Sequence, residues 1–428
     1  MQIIDSIVQF IMNLGGATFL PIMITILGLI FGIKFFESLK NGLRIGIGFV
    51  GISAMLNLLI QGIQPAVNYY SAMGSGFTVT DIGWEGLASI AWSTPFALLI
   101  IPLGFLLNFV LIRVKFTKTM NVDIWNYFQF VLGAAVAYYI MLLMGVSTVV
   151  AAVIATLFGV ITSVIALKLG DVIAPYWQKY YDLPGTTCTT FDALMFCWPI
   201  NFAVCWLLDR IPGVNKIKLD IHWFNEKMGS IGETSVLTFF IGLLLSIITK
   251  QSLATALSMS VTLAAAIILL PRMVSLLMEG LVPISNAARA FFQKKLGDNY
   301  EINIGMDCAL SLGDESGISS SIIMIPITIG LAFILPVNYF PIALVGTLVY
   351  YACESALFAK GNIFKIIVST MVIVTYICLL DSYLAPLVTE LAVRTGYIAN
   401  ASTMVTGCGI ETPHCLIFAL IGKLFRVW

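Results

Sequence analysis

Charge is scarce in this chain. Its 428 residues hold only 22 Lys and Arg and 22 Asp and Glu, 10% in all, and the formal net charge is zero. A soluble domain carries about a quarter of its residues charged, and a nucleic-acid partner would want a basic excess, so both classes are excluded. Histidine is nearly missing, with only His222 and His414, which argues against a metal centre built on imidazole. The eight cysteines, at 188, 197, 205, 308, 353, 378, 408 and 415, have no paired spacing and stand in apolar surroundings. They read as small buried hydrophobes, neither disulfides nor metal ligands. There is no Walker A phosphate loop, and the opening MQIIDSIVQFIMNLGG lacks the basic head of a signal peptide and holds Asp5. No metal and no cofactor is expected.

What fills the chain is apolar sequence, 59% hydrophobic with a mean hydropathy of +0.99. The expected fold is an all-α polytopic membrane protein. About 20 apolar residues cross the roughly 30 Å of hydrocarbon. Runs of that kind occupy 17–36, 43–63, 94–113, 126–144, 146–168, 190–208, 231–249, 253–282, 319–336, 340–359, 363–381 and 404–422. Lys34, Lys40 and Arg44 form one basic cluster, and Arg113, Lys115 and Lys118 the next, with no Lys or Arg between. Every second loop is therefore basic and belongs in the cytoplasm, which puts the N-terminus outside. The pattern fails once, because Lys168 and Lys179 before run 190–208 and Arg210, Lys216 and Lys218 after it all want the same side. That run holds Asp192, Pro199 and Asn201 and is expected to be a broken or re-entrant segment that does not cross. About eleven transmembrane helices remain, with the C-terminus inside; Lys250 and Arg394 are exceptions to the basic-loop pattern. In DIHWFNEKMGS, 220–230, the apolar positions Ile221, Phe224 and Met228 predict a short helix in the cytoplasmic interface, against membrane lipid.

Two halves echo each other. LGLIFGIKFFESL (27–39) aligns with IGLLLSIITKQSL (241–253), PAVN (65–68) with PISN (283–286), and Cys188 with Cys408, all at offsets of 214–220. A near-constant offset indicates duplication. Run 17–36 enters while 231–249 leaves, so the repeats are inverted, a build common among transporters. The expected organisation is a first repeat at 1–209, a linker with the interfacial helix at 210–230, and a second repeat at 231–428.

The carboxylates are the chemistry. Residues 296–359 contain Asp307, Asp314, Glu315 and Glu354 but no Lys or Arg. A charge in hydrocarbon costs about 2.5 kcal/mol or more, so intramembrane carboxylates are functional candidates. Glu85 in GWEGLAS and Asp307, Asp314 and Glu315 in GMDCALSLGDESG precede equivalent runs in the two halves, while Asp192 and Glu411 follow Cys188 and Cys408. The Gly- and Ser-rich composition of both regions disfavours a continuous helix and predicts re-entrant hairpins. Asp307 reads as a substrate ligand or as a cap at a broken helix end. SLGDESG resembles a turn and helix start, so Asp314 and Glu315 divide between ligand and cap. Asp123 opens a helix, and Glu354 is a ligand or a helix–helix contact. Carboxylates without cations suit a hydroxyl-rich neutral ligand, Na⁺ or H⁺; an anion would want Arg.

In GLRIGIGFVGI (42–52), DIGW (81–84), NVDIW (121–125), KLGD (168–171), RIPGVNKIK (210–218), PRMVSLLMEGLVPI (271–284) and IGMDCALSLG (304–313), the chain resembles the galactitol-type enzyme IIC of the bacterial phosphotransferase system, in the ascorbate–galactitol superfamily. The resemblance implies an eleven-span homodimer in the bacterial cell membrane, each protomer with a core and a scaffold domain. It implies a polyol or sugar held near Trp84, Glu85, Asp123, Asp192 and Asp307. It further implies separate IIA and IIB partners, the IIC chain presenting a substrate hydroxyl to the phospho-Cys of IIB, with no catalytic nucleophile of its own. Family members carry His where this chain has Phe191 and another at Asp314, so the particular polyol stays open. The alternative from the residues alone is a secondary transporter coupled to H⁺ or Na⁺.

Overall fold

The computed structural model describes residues 21–22, 24–73, 77–123, 126–217, 219, 234–296, 301–402 and 404–428. The interfacial helix expected at 220–230 lies outside them, as does the start of the first run.

The described chain is mostly helical. Among the described residues, six helices are long and apolar enough to cross a membrane: those within α1 (Phe35–Met73) and α8 (Leu253–Leu296), and α5 (Thr148–Tyr181), α9 (Glu315–Ile334), α10 (Ile342–Ala359) and α11 (Ile363–Arg394). At about 1.5 Å per residue, the 39-residue α1 is far longer than the hydrocarbon is thick. The outward faces carry the large apolar side chains that lipid requires; Ile334 is 80% exposed and Val149 74%. Shorter apolar helices are α3 (Ala97–Arg113), α4 (Tyr127–Leu143), α7 (Thr234–Ile248) and α12 (Pro413–Leu424).

Run 190–208 is interrupted. A π-helical turn, Ala193–Cys197, precedes α6, Trp198–Leu208. Single π turns of this kind shift the register of a helix and collect at functional sites. GWEGLAS departs from expectation in part, since it forms the ten-residue helix α2, Gly83–Trp92. Burial of Leu87, Ala88, Ile90 and Ala91 outweighs the cost of its glycines.

The sequence reading did not foresee the strands. Five short ones, β1 (Val79–Asp81), β2 (Thr119–Asn121), β3 (Thr186–Cys188), β4 (Asn303–Met306) and β5 (Met404–Thr406), form two parallel sheets. In one, β4 lies between β2 and β3. In the other, β1 pairs with β5 and is bridged at Val79 to Tyr339. Each central strand thus comes from one half of the chain and its neighbours from the other. Three-residue strands carry too little pattern to announce themselves.

Helices α1 and α8 pack along each other. Gly48 makes this approach possible, because a Cβ there would stand 2.8 Å from the Leu277 Cα. Gly48 belongs to the glycine-rich stretch GLRIGIGFVGI, where small residues let helix backbones approach closely.

Candidate functional site

Parallel pairing decides where the acidic residues go. Asn121 is in register with Gly305, and Cys188 with Met306. The segments that follow β2, β3 and β4 therefore emerge at one edge of the sheet. Asp123, Asp192 and Asp307 lie within four residues of those strand ends and converge there. Gly305 in the central strand has no room for a side chain, since a Cβ would meet Thr189 Cγ2 at 2.5 Å.

Hydrogen bonds then lock the edge. Asp307 starts a 3₁₀ turn, Cys308–Gly313, and its Oδ1 accepts the Ala309 N–H at 2.6 Å. The Cys308 N–H donates to Thr190 Oγ1 at 2.7 Å, fixing the β3 exit against the β4 exit. Asn126 clamps the same point: its amide donates to the Thr189 carbonyl and its Oδ1 accepts the Phe191 N–H at 2.9 Å. Asp123 Oδ1 accepts the Asn126 N–H at 3.0 Å, and its Oδ2 is buried with no donor. Asp192 Oδ1 accepts the Ala193 N–H at 2.7 Å, and the Asp192 N–H donates to Gln129 Oε1 at 2.9 Å. Asp192 and Asp307 keep accessible surface while Asp123 is buried.

Electrostatically the site is uncompensated. Burial pushes the Asp307 carboxyl up to about 6, with Asp192 adding to it. Burial, then the charges of Asp307 and Asp192, hold Asp123 well above the ordinary range. Among the described residues no lysine or arginine acts on these carboxylates. The ion pairs Arg44–Glu279, Lys168–Asp171, Lys365–Asp209 and Arg394–Glu390 lie elsewhere. Such an edge offers hydrogen-bond acceptors and negative potential, which suit hydroxyl donors. No group of three His, Cys, Asp or Glu is disposed to hold a metal among the described residues.

The other predicted residues divide. Trp84, half-buried, packs against Phe128, next to Gln129, with ring centroids 5.9 Å apart and planes tilted by 45°. Glu85 is exposed but shares Tyr350 as an electrostatic neighbour with Asp307 and Glu354, so α2 reaches the same region. Asp314 stands apart. Its Oδ1 caps α9 through the Gly317 N–H at 2.7 Å, and its Oδ2 accepts the Tyr180 hydroxyl at 2.7 Å. Glu315, in the first turn of α9, is exposed. Asp314 thus takes the cap position and Glu315 the first helical turn that SLGDESG suggested.

Two residues of the region, Tyr350 and Gln129, escaped the sequence reading; Glu354, weighed there as a ligand or a helix–helix contact, joins them. Glu354, buried on α10, is an electrostatic neighbour of Asp192 and Asp307. Tyr350 lies one turn before it. Gln129 was passed over as one amide in an apolar run, although a buried Gln among aromatic residues is itself a signal of a polar partner. The KLGD motif serves the site from behind: Asp171 Oδ1 accepts from Thr117 Oγ1 at 3.0 Å, the Lys118 N–H at 2.9 Å and Thr119 Oγ1 at 2.8 Å, anchoring the strand that leads to Asp123.

Residues 10–402 match the family model of the sugar-specific permease component of the phosphotransferase system, EIIC-GAT. The galactitol-specific EIIC component of Escherichia coli strain K12 is 32% identical over 399 residues, covering 92% of this chain and 85% of that relative. The galactitol-specific EIIC component of Escherichia coli O157:H7 matches with the same identity and coverage.

Proposed function

We infer the function from family and site together: the chain belongs to the EIIC-GAT family of phosphotransferase sugar permease components, and it serves as the sugar-alcohol permease subunit. The observation that carries the ligand class is the meeting of Asp123, Asp192 and Asp307 with no opposing cation. A galactitol-like polyol offers a hydroxyl donor at every carbon. Each ionised carboxylate that accepts one makes a charge-assisted bond, about twice as strong as a neutral one.

The finer reading follows from that ligand. The polyol enters from outside and donates to Asp307, Asp192 and Asp123, with Trp84 and Glu85 lining the approach. Its terminal hydroxyl then turns toward the phospho-Cys of a docked IIB, itself recharged by IIA. Phosphoryl transfer of this kind depends on positioning above all. Asp307 fixes the hydroxyl and takes its proton as the oxygen attacks phosphorus, the S–P bond breaks and the thiolate of IIB leaves. The phosphorylated product, now anionic, is repelled by the acidic edge and leaves inward. Asp314 and Glu315 stay outside the ligand shell.

The architecture we propose has eleven spans in two inverted repeats, 1–209 and 231–428, joined by 210–230, with re-entrant hairpins, a core and a scaffold domain, and a homodimeric assembly. The N-terminus is outside and the C-terminus cytoplasmic. The exchange of central strands supports the duplication: β4 sits between strands of the first half, while β1 pairs with β5 and Tyr339 of the second.

The test is transport by purified protein in liposomes. Galactitol should enter only with phosphorylated IIB present and should appear inside as its phosphate. Free galactitol accumulated on a pH or Na⁺ gradient without IIB refutes the coupling and returns the chain to the secondary transporters.

A further inference from the structure

Besides the three-aspartate edge there is a pair of carboxylates that the transport scheme above does not use. Asp381 is near the middle of α11 and is 1% exposed; Glu411, in the turn between β5 and α12, is fully buried. The two side chains are in hydrogen-bond contact with each other. Their outer oxygens are satisfied. Asp381 Oδ2 accepts the Tyr339 hydroxyl at 3.2 Å, and Glu411 Oε2 accepts the Gly409 N–H at 2.5 Å. The remaining oxygens, Asp381 Oδ1 and Glu411 Oε1, are both buried and have no donor. A carboxylate can only accept, so two of them in contact need one hydrogen between them.

We propose that Asp381 and Glu411 hold one proton as a carboxylic acid–carboxylate pair, and that this shared proton clamps α11 to the turn after β5.

The surroundings leave the pair nothing else to use. Tyr339 and Asp81 face it from the strand side, Cys378 from α11 and Cys408 from the turn. Asp192 adds its charge on the Glu411 side, and Tyr376 is held by the Glu411 carbonyl at 2.8 Å. Tyr351, Cys197 and Cys415 complete the titratable neighbours of Glu411. None is a cation. Asp81 makes the contrast. Its Oδ1 accepts the Gly83 N–H at 2.9 Å and its Oδ2 the Ala343 N–H at 2.9 Å, so both its oxygens are served without a proton. Two ionised carboxylates in contact in a dry interior repel and lack solvation, and one retained proton removes both faults.

The clamp bears on the transport site by a short route. Thr406 of β5 donates its hydroxyl to the Asp381 carbonyl at 2.6 Å and pairs with Asp81 of β1. The Ile82 N–H then donates to the Thr406 carbonyl at 2.8 Å, immediately before Trp84 and Glu85. When base removes the shared proton to water, two charges are left facing each other behind that strand.

Amide substitutions test the proton directly. In Asp381→Asn the amide oxygen faces Tyr339 and the NH₂ supplies the donor to Glu411. In Glu411→Gln the oxygen keeps the Gly409 N–H and the NH₂ faces Asp381. Each single variant should fold, because it replaces the shared proton. The double variant sets two NH₂ groups against each other and should be less stable than either single. In detergent, full-length wild type should show, at mildly alkaline pH, more infrared carbonyl intensity from protonated carboxyl groups than either single. Folded protein holding one more proton than unfolded loses stability as pH rises, so the wild-type folding constant should fall about tenfold per pH unit relative to Asp381→Asn. A double variant as stable as the singles overturns the pair. So does wild type with no more of that intensity than the singles, including the case in which Na⁺ raises its thermal midpoint and a cation occupies the place.

Discussion

Replacing Asp307 by Asn isolates charge from shape at the transport site. Asp307 Oδ1 accepts the Ala309 N–H at 2.6 Å, and Asn can keep that bond with its own Oδ1. The 3₁₀ turn should survive, and so should the link from Cys308 to Thr190, which uses backbone. What changes is the other oxygen, which becomes an NH₂ and can no longer accept a polyol hydroxyl. Hydrogen bonds to charged groups contribute about 1.5–3 kcal/mol, and 1.4 kcal/mol is a factor of ten, so galactitol affinity should fall roughly 10- to 100-fold. The pH dependence carries opposite signs for stability and binding. Burial raises the Asp307 carboxyl to about 6 from 3.8, so its folded state binds more protons than the unfolded chain. Its contribution to stability is fully present below the unfolded value and is lost as pH rises through about 6. Binding needs the ionised acceptor and should strengthen over that interval. Wild type should therefore bind better and be less stable at pH 7 than at pH 5; Asp307→Asn should lose the rise in binding, and its stability should fall less steeply with pH than wild type's. Calorimetric titration with galactitol and thermal unfolding in the same detergent measure the two. A folded Asp307→Asn protein with wild-type affinity would refute the role assigned to this carboxylate.

Asp314→Ala removes the α9 cap and the Tyr180 contact; it should cost about 1 kcal/mol of stability and leave galactitol affinity unchanged, as thermal midpoint and titration would report. Gly48→Ala puts a Cβ 2.8 Å from the Leu277 Cα; separating α1 from α8 should cost about 1–3 kcal/mol, seen as a lowered thermal midpoint. Asp171→Ala strips three donors of their acceptor around β2; a loss of about 1–3 kcal/mol should come with weaker binding, because β2 leads to Asp123. Single cysteines placed near residues 180 and 215 should be labelled by an impermeant reagent from the same face of the membrane; opposite faces would mean that 190–208 crosses.

The sequence alone determined the solvent, the broad fold and the family. Those properties add over many residues: apolar runs the length of a bilayer, basic loops, and motifs spread from Gly42 to Gly313. It also supplied the acidic candidates, because a carboxylate without a cation is conspicuous in apolar sequence. Which of them meet was decided only by tertiary structure. Asp123, Asp192 and Asp307 are brought to one edge by three strands of three or four residues, paired in parallel across the two halves, and such strands leave no periodic trace. Asp314, only seven residues from Asp307, is turned to a helix cap by the 3₁₀ segment between them. Gln129, Glu354 and the Asp381–Glu411 contact depend on the same long-range pairing. Hydropathy is a sum over neighbours in the chain, whereas a site is a coincidence of distant residues, and only the packed structure fixes that coincidence.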